Sequence, residues 1–249
     1  MHILAIANQK GGSGKSTTAA ALAEAATARG LRGLAVDLDP QGNFSFFTGA
    51  DANRPGAFDM LENGRPAAAL IQRTACGLDV IPAALELQTV STGKGSARRL
   101  KAALAPIRAQ YDLIIIDTST APGEPRLNAL MAATGLIIPL EADIGGLQGL
   151  YQISDEARQV QLANPALTIC GYILTKYDRR STLARTMADR IQAAAEEMEI
   201  PFLGAVRAAV AIKEAQSFQT NLYEYAPHSN PARDYMAILD KATGTNKEK

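Results

Sequence analysis

Short apolar runs alternate with helix-forming segments along most of the chain. Seven of these runs are rich in aliphatic residues and have the length of buried strands: 3–7, 33–37, 79–82, 113–117, 135–140, 168–174 and 201–206. Between the first two, residues 16–29 are alanine-rich with apolar positions at helical spacing, and Gly30 follows as a stop signal. The alternation predicts an α/β fold with a doubly wound, mostly parallel sheet flanked by helices.

The domain organisation follows from the same pattern. No internal repeat, low-complexity tract or Gly/Ser/Pro-rich linker divides the chain, and residues 50–75 are its least regular part. We therefore expect a single domain over residues 1–243. The polar stretch 244–249 is expected to be a disordered tail.

The composition limits the cellular environment in which the protein is expected to work, but it does not identify a function. The 249 residues are 47% hydrophobic, and 25 basic residues balance 25 acidic ones, so no global field attracts nucleic acid or an anionic membrane. Cys76 and Cys170 lie far apart and outside metal-binding spacing, as expected of free thiols in a reducing compartment. The apolar runs are too short to span a bilayer and none resembles a signal peptide, so we expect a cytoplasmic protein.

The most informative segment is residues 8–17, which read Asn-Gln-Lys-Gly-Gly-Ser-Gly-Lys-Ser-Thr between the first strand and the first helix. Glycines there let successive backbone amides surround an anion at the positive end of the helix. Lys15 is expected to reach the β- and γ-phosphates of a nucleotide, and the Ser16 hydroxyl to bind Mg²⁺. The predicted phosphate-binding positions are Gly11, Gly12, Ser13, Gly14, Lys15, Ser16 and Thr17.

Two other predicted strands end in acids. Asp37 and Asp39 follow the second strand in a turn-forming segment, and Asp117 ends the aliphatic run 113–117 in the form of a Walker B site, where it would hold Mg²⁺ through a bound water. Ligands of doubly wound sheets bind at the carboxyl edge of the strands, which also holds the glycine loop. Taken alone, Asp37 and Asp39 could be turn or helix-capping residues, and any buried strand can end in an aspartate as the run before Asp117 does.

The glycine loop departs from the strict Walker A pattern because Gln9 replaces the first glycine, and it carries a second lysine, Lys10. The run Lys-Gly-Gly-Ser-Gly-Lys-Ser resembles the deviant Walker A box of the ParA/MinD class of P-loop ATPases. This resemblance implies that Lys10 touches the phosphates bound by the partner subunit of an ATP-bound homodimer, as a charge supplied in trans. The segment 37–43 resembles the switch of this class, which implies that Asp39 orients the attacking water and senses Mg²⁺ while Asp37 supports the site.

Further motifs, in the family's order over residues 1–240, resemble ParA proteins more closely than MinD or the nitrogenase iron protein. The ParA resemblance implies a weak ATPase that binds DNA non-specifically, is stimulated by a ParB-like centromere-binding adaptor, and drives plasmid or chromosome partition. It also implies association with the nucleoid in the ATP-bound state. Two departures stand out. Ser119 and Thr120 replace the two prolines usual after Asp117, and alanines replace basic and amide residues in the stretch 207–213.

Recognition of the base has two interpretations. Residues 175–178, Thr-Lys-Tyr-Asp, resemble a guanine-binding motif, whereas the ParA resemblance places adenine between Thr175 and Lys176 on one side and the stretch 206–210, including Val206 and Arg207, on the other. We favour ATP. Asp178 could instead cap the helix predicted to begin near Ser181.

DNA binding would need local basic surface, and two clusters are candidates, although either could be an ordinary solvated helix face. The first cluster comprises Lys94, Arg98, Arg99, Lys101 and Arg108, and the second comprises Lys176, Arg179, Arg180, Arg185 and Arg190. Arg207 and Lys213 could add to them.

Three alternative functions remain for comparison. A MinD-like positioning ATPase would need an amphipathic C-terminal helix for the membrane, which residues 234–249 match poorly, so no stable membrane association is expected. A reductase like the nitrogenase iron protein would need two cysteines per subunit beside the nucleotide switches to hold a shared iron–sulfur cluster. Neither Cys76 nor Cys170 lies in those motifs. A nucleotide-gated dimeric scaffold with little hydrolysis agrees with the altered sequence after Asp117.

Overall fold

One sheet runs through the computed structural model, which describes residues 2–244. Within that range the eight strands are β1 His2–Ile6, β2 Gly33–Leu38, β3 Gln72–Arg73, β4 Asp79–Ile81, β5 Leu113–Thr118, β6 Gly135–Glu141, β7 Thr168–Tyr177 and β8 Phe202–Arg207. The α-helices are α1 Lys15–Ala28, α2 Asn43–Phe47, α3 Ala57–Leu61, α4 Arg99–Leu104, α5 Glu124–Ala132, α6 Ile144–Gln161, α7 Thr182–Glu197, α8 Val210–Ser217, α9 Leu222–Tyr225 and α10 Asn230–Thr243.

The strand order is β3-β4-β2-β5-β1-β6-β7-β8, and every neighbouring pair is parallel except β3 and β4. This confirms the predicted doubly wound sheet. All seven predicted strands are present, and their ends differ from the predicted ones by at most three residues. The short antiparallel β3 was not predicted, because two residues with one buried side chain carry no readable alternation.

The sheet is buried on both faces, which explains why its strands read as continuous apolar runs. Along β5, Leu113 and Ile115 point to the face covered by α1 and α10, whereas Ile114 and Ile116 join the core on the opposite face. Alternate side chains of one run thus serve two cores. The sequence cannot assign them to a face until the neighbouring helices are placed.

The strand order brings the carboxyl ends of β1, β2 and β5 together. The chain winds outward from β1 in one direction through β2 and β4, returns through β5, and then continues outward on the other side through β6. In the parallel register Asp117 lies opposite Ile6 on one side and Asp37 on the other. The loop after β1 therefore opens directly beside both acids.

Some boundaries of the helices and of the domain differ from the predicted ones or stay untested. Helix α1 begins one residue earlier than predicted, and the irregular stretch 50–75 contains only α3, one 3₁₀ turn and β3. Residues 245–249 of the predicted tail lie outside the described residues, and the single-domain boundary at residue 243 stays a prediction. Among residues 2–244, none of the helices combines the length and the apolar character needed to cross a membrane.

Helix α1 carries an acid in the core. Glu24 is 5% exposed, and its Oε2 accepts a hydrogen bond from the backbone amide of Leu222 at 2.9 Å, at the start of α9. Burial raises the pKa of Glu24 to about 7; the bond from Leu222 opposes this shift and the nearby charge of Glu224 adds to it. The junction between α1 and α9 is therefore sensitive to pH near neutrality.

We expect Glu24→Gln to remove part of the pH dependence of stability. The folded pKa of Glu24 exceeds the unfolded value, so its contribution is fully present at low pH and is lost as pH rises through about 7. Relative to Glu24→Gln, the parent should lose roughly 3 kcal/mol of unfolding free energy between about pH 4.5 and pH 8, measured by urea titration. The exposed Glu197→Gln is the control and should follow the parent. Parallel profiles for the parent and Glu24→Gln would contradict the assignment.

Candidate nucleotide site

The loop between β1 and α1 has the backbone of an anion cradle. Gly12 and Gly14 have φ angles of 76° and 84°, a left-handed conformation that L side chains rarely adopt. Gly14 is the N-cap of α1, and no side chain in residues 2–244 caps the amides that follow it. These free amides and the positive end of the helix dipole point to an anionic ligand.

Side chains from distant strands hold this loop in place. Asn8 donates from Nδ2 to the carbonyl of Pro139 at 2.7 Å and accepts at Oδ1 from the amide of Lys10 at 3.1 Å. Thr175 Oγ1 donates to the carbonyl of Ser13 at 2.9 Å, and Lys176 Nζ donates to that of Gly12 at 2.7 Å. The loop is thus shaped by the fold before any ligand binds, which lowers the entropic cost of binding.

Lys15 lies at the first position of α1 and is 6% exposed. Its Nζ donates to the carbonyl of Lys10 at 3.3 Å. Burial lowers the pKa of Lys15, while the charges of Asp117 and Asp39 raise it. This ammonium therefore stands between the glycine loop and the acids, where a phosphate group would be its natural counter-ion.

Asp117 is a buried carboxylate that lies close to the other acids of the site. Both of its carboxylate oxygens are buried, and neither makes a hydrogen bond of good geometry within residues 2–244, although the Ser16 hydroxyl lies near enough to stabilise the charged form. Burial raises the pKa of Asp117 well above its usual range, and the charge of Asp37 adds to the shift, whereas Ser16 and Lys15 oppose it. Orphaned carboxylate oxygens in a native fold call for a missing partner, and a hard divalent cation or its bound water fits them.

Asp37 has a different role from Asp117 because its partners are all present. Its Oδ2 accepts from the amide and hydroxyl of Ser45 at 2.9 and 2.7 Å, and its Oδ1 accepts from the amide of Asp39 at 3.0 Å. Burial raises the pKa of Asp37 to about 6, opposed by the bonds from Ser45. Asp37 thus fixes the turn that presents Asp39, in agreement with a supporting function.

Metal binding by protein ligands alone is not favoured at this site. Among residues 2–244, no group of three or more His, Cys, Asp and Glu side chains is arranged to hold a metal ion. Mg²⁺ in phosphate sites usually takes one or two protein ligands and completes its shell with phosphate oxygens and water. Ser16 and Asp117 agree with that pattern.

A cavity adjoins the glycine loop on the side of β7 and β8. Its volume is about 320 Å³. Its lining includes Gly14, Thr17, Thr175, Lys176, Val206, Arg207 and Ala209. The two stretches between which the base is predicted to bind therefore lie together in the fold, next to the glycine loop.

Asp178 does not join this cavity. Its carboxylate accepts from Arg180 Nε and Nη2 at 3.0 and 3.1 Å on the exposed surface. The cap of α7 is Ser181, which accepts from the amide of Ala184 at 3.2 Å. The capping interpretation of Asp178 is therefore wrong, because the hydroxyl immediately before the helix is better placed for the role.

Lys10 is engaged within its own chain. Its Nζ pairs with Asp143 and lies 3.7 Å from Glu141 Oε2, and Lys176 Nζ lies 2.6 Å from Glu141 Oε1. Two lysines and two acids therefore meet at the mouth of the loop. The acids were not predicted, although Glu141 ends β6 and Asp143 follows it at the ligand-binding edge, and Asp143 also caps α6 by accepting from the amide of Gly146 at 2.7 Å. Asn8, the first polar residue after β1, was missed in the same way.

These features define a class: a P-loop nucleotide-binding protein of the deviant Walker A type. A family model described as an AAA domain matches residues 1–169. The chain is 39% identical over 203 residues to the chromosome partitioning protein ParA of Caulobacter vibrioides, covering 78% of this chain and 76% of that protein. It is 34% identical over 248 residues to the chromosome-partitioning ATPase Soj of Thermus thermophilus, covering 98% and 96%.

The chain belongs to the ParA/Soj family of chromosome-partitioning ATPases. Its fold also matches a crystal structure of cobyrinic acid a,c-diamide synthase from Mycobacterium smegmatis with bound ATP analog and magnesium. That match has a TM-score of 0.81 at 31% identity, and it covers 96% of this chain and 93% of the other. The family assignment confirms the resemblance drawn from the motifs.

We expect Gly149→Ala to destabilise the protein through the loop anchor. A Cβ at Gly149 in α6 would lie 2.6 Å from Asn8 Oδ1, and Asn8 is fully buried with both ends of its amide engaged. The expected loss is about 1–3 kcal/mol of unfolding free energy in urea titration. Gly145→Ala is the matched control in the same helix, because its Cβ would meet only the flexible end of Lys10 and should be close to neutral. Equal stability of both variants would contradict a rigid anchor at Asn8.

Proposed function

We propose that this protein binds ATP with Mg²⁺, closes into a homodimer on the nucleotide, and uses slow hydrolysis to time the partition of a plasmid or chromosome. The observation that carries the proposal is the pairing of an uncapped, glycine-shaped helix N-terminus with the orphaned carboxylate of Asp117. The helix N-terminus suits a phosphate, and the carboxylate of Asp117 suits the cation that accompanies the phosphate.

The residues of the loop divide the work of binding. The amides of residues 11–17 and the Lys15 ammonium bind the phosphates, while Ser16 and Asp117 would hold Mg²⁺, with Asp39 close enough to sense it. Bound Mg²⁺ would neutralise charge on the β- and γ-phosphates. The partly buried position of Lys15 strengthens its attraction to phosphate, since little water screens the pair.

Asp39 orients the attacking water. It is 9% exposed at the end of β2, its Oδ1 accepts from the amide of Gln41 at 3.0 Å, and the bonds of Asp37 fix its backbone. Asp39 also lines a cavity of about 430 Å³ together with Ser119 and Thr120. A carboxylate held in this way can accept a proton from water at the point of attack.

The base is adenine in this proposal. The lining of the cavity beside Thr175 and Val206 contains no acidic side chain among the described residues, and the carboxylate that a guanine site needs, that of Asp178, is paired with Arg180. The Arg207 guanidinium is paired with Asp234 at 2.6 Å, which keeps the cavity's rim in place. These observations favour ATP over GTP.

Lys10 changes partners when the dimer forms. Its pairs with Asp143 and Glu141 are partly exposed, so exchanging them for the phosphates of the partner subunit costs little. A positive charge then reaches the transferring phosphoryl group only when two subunits meet. The requirement makes hydrolysis weak in the monomer and open to stimulation by a ParB-like adaptor.

DNA binding in the ATP-bound state is supported by basic side chains with no ion pair among the described residues. Arg179, Arg185 and Arg190 are exposed on or beside α7, and Lys94 and Arg98 are exposed in the segment that precedes α4. Contacts of this kind neutralise phosphates without reading bases. The proposed location is the cytoplasm, with nucleoid association in the ATP-bound dimer.

The C-terminal helix argues against a membrane-bound mode of action. Tyr235, Ile238 and Leu239 of α10 are buried in the core that also holds α1. A helix cannot use the same apolar face for the core and for a lipid surface. The residues that would have to insert are therefore already occupied.

We expect Lys10→Ala and Lys15→Ala to separate dimerisation from binding. Lys15→Ala removes the ammonium from the phosphate site and should abolish binding of ATP in calorimetry, whereas Lys10→Ala should bind ATP nearly as the parent does. In analytical ultracentrifugation with ATP, only the parent should dimerise, and its ATPase rate should exceed that of Lys10→Ala by about 10³-fold, the scale of a charge supplied in trans. Dimerisation of Lys10→Ala at the parent's level would refute the trans role. Parent dimers without hydrolysis would favour the nucleotide-gated scaffold.

We expect retention of DNA to require ATP and to weaken steeply with salt. With about four phosphate contacts, affinity should fall about a hundredfold between roughly 50 and 200 mM salt in a gel-retardation assay. The DNA-binding surface can be located with two double variants, Arg179→Ala with Arg185→Ala and Lys94→Ala with Arg98→Ala. The variant whose replaced residues contact DNA in the parent should lose affinity and show a shallower dependence of affinity on salt. Equal retention with ADP and ATP would contradict nucleotide control.

A further inference from the structure

Arg126 is a fully buried arginine that no part of the proposed mechanism uses. It lies in α5, and its side chain is 1% exposed. Its Nε donates to Glu156 Oε1 at 3.0 Å and its Nη2 lies 2.8 Å from Glu156 Oε2, so that the guanidinium and the carboxylate of α6 form a two-pronged pair.

The pair joins two segments that border the phosphate site. Arg126 Nη1 donates to the carbonyl of Thr120 at 2.9 Å, in the loop that follows Asp117. On the other side, Glu156 Oε2 accepts from Gln9 Nε2 at 3.2 Å, at the start of the glycine loop. A continuous chain of polar contacts therefore runs from the glycine loop to the loop after β5.

Stability alone is a poor reason for this arrangement. Removing a guanidinium from water is costly, and apolar side chains of similar volume often replace buried ion pairs without loss. The charge of Arg126 also reaches the site, where it is one of the causes that lower the pKa of Lys15. Its position between two functional loops therefore suggests that it determines their geometry.

The sequence of the loop explains why it needs such a restraint. Ser119, Thr120 and Ala121 follow β5 with no proline among them, so no pyrrolidine ring fixes a φ angle in this stretch. The bond from Arg126 to the carbonyl of Thr120 restrains the same stretch from outside.

We propose that Arg126 and Glu156 are a positioning pair that holds the loop 119–123 in register with the glycine loop, in place of backbone rigidity. The inference rests on the proposed ATPase function for its kinetic consequence, but its structural consequence is independent of it. Neither side chain touches the nucleotide site directly. The pair acts through Thr120 and Gln9, and sets the position of the loop that lines the cavity beside Asp39.

The test replaces the pair by methionines, singly and together. Glu156→Met leaves a buried guanidinium unpaired and should fold poorly, whereas Arg126→Met with Glu156→Met removes both charges and should regain a thermal midpoint close to the parent's. In the nucleotide-free double variant, amide hydrogen exchange of residues 119–123 should be about tenfold faster than in the parent. Its affinity for ADP should stay within about threefold, while kcat for ATP falls about 10- to 100-fold.

The control is Arg32→Met with Asp112→Met, which removes another arginine–carboxylate pair, 2.9 Å apart, at the residues that immediately precede β2 and β5. It should leave the exchange of residues 119–123 and kcat unchanged. A purely structural pair predicts that the double variant at Arg126 and Glu156 regains kcat and parent-like exchange together with stability, and that result would overturn the proposal. If the parent itself lacks ATPase activity, the proposed function fails, whereas the exchange measurement still decides the positioning role.

Discussion

The structure depends on one interaction, the attraction between an uncapped helix N-terminus and the anion for which its loop is shaped. Gly12 and Gly14 can adopt the left-handed backbone that turns the amides inward, and α1 contributes the positive end of its dipole. Asp117 faces this site with both oxygens unpaired among the described residues. Such an arrangement is costly to the free protein and becomes favourable when a phosphate and a cation bind together.

The surrounding contacts keep this costly arrangement in place. Asn8, Thr175 and Lys176 fasten the glycine loop to β6 and β7, and Ser45 fixes Asp37 beneath the turn that carries Asp39. Preorganisation of this kind transfers the cost of ordering from the binding step to folding. The same tertiary contacts that stabilise the sheet therefore also prepare the site, and strain at the site is balanced by the large core on both faces.

Charge pairing at the mouth of the loop adds a second level of control. Glu141 is shared by Lys10 and Lys176, so the first lysine of the loop is held within its own chain. Exposed pairs exchange easily, whereas the pair between Arg126 and Glu156 is buried on the arginine side and does not. The glycine loop is thus bordered by the exposed ion pairs of Lys10 and Lys176, which exchange easily, and by the buried pair of Arg126 and Glu156, which does not.

The sequence by itself determined the class of fold and seven of the strands, and it predicted the phosphate-binding residues, because apolar runs and glycine spacing are local signals read within a few residues. It also predicted Asp117 as a residue of the site, since an acid at the end of a buried strand lies at the ligand-binding edge. Only the tertiary structure decided that Ser181 caps α7 in place of Asp178, and that Lys10 meets Asp143 and Arg126 meets Glu156. Those contacts join residues as far as 133 positions apart, and their geometry is fixed by the order of the strands and the packing of the helices.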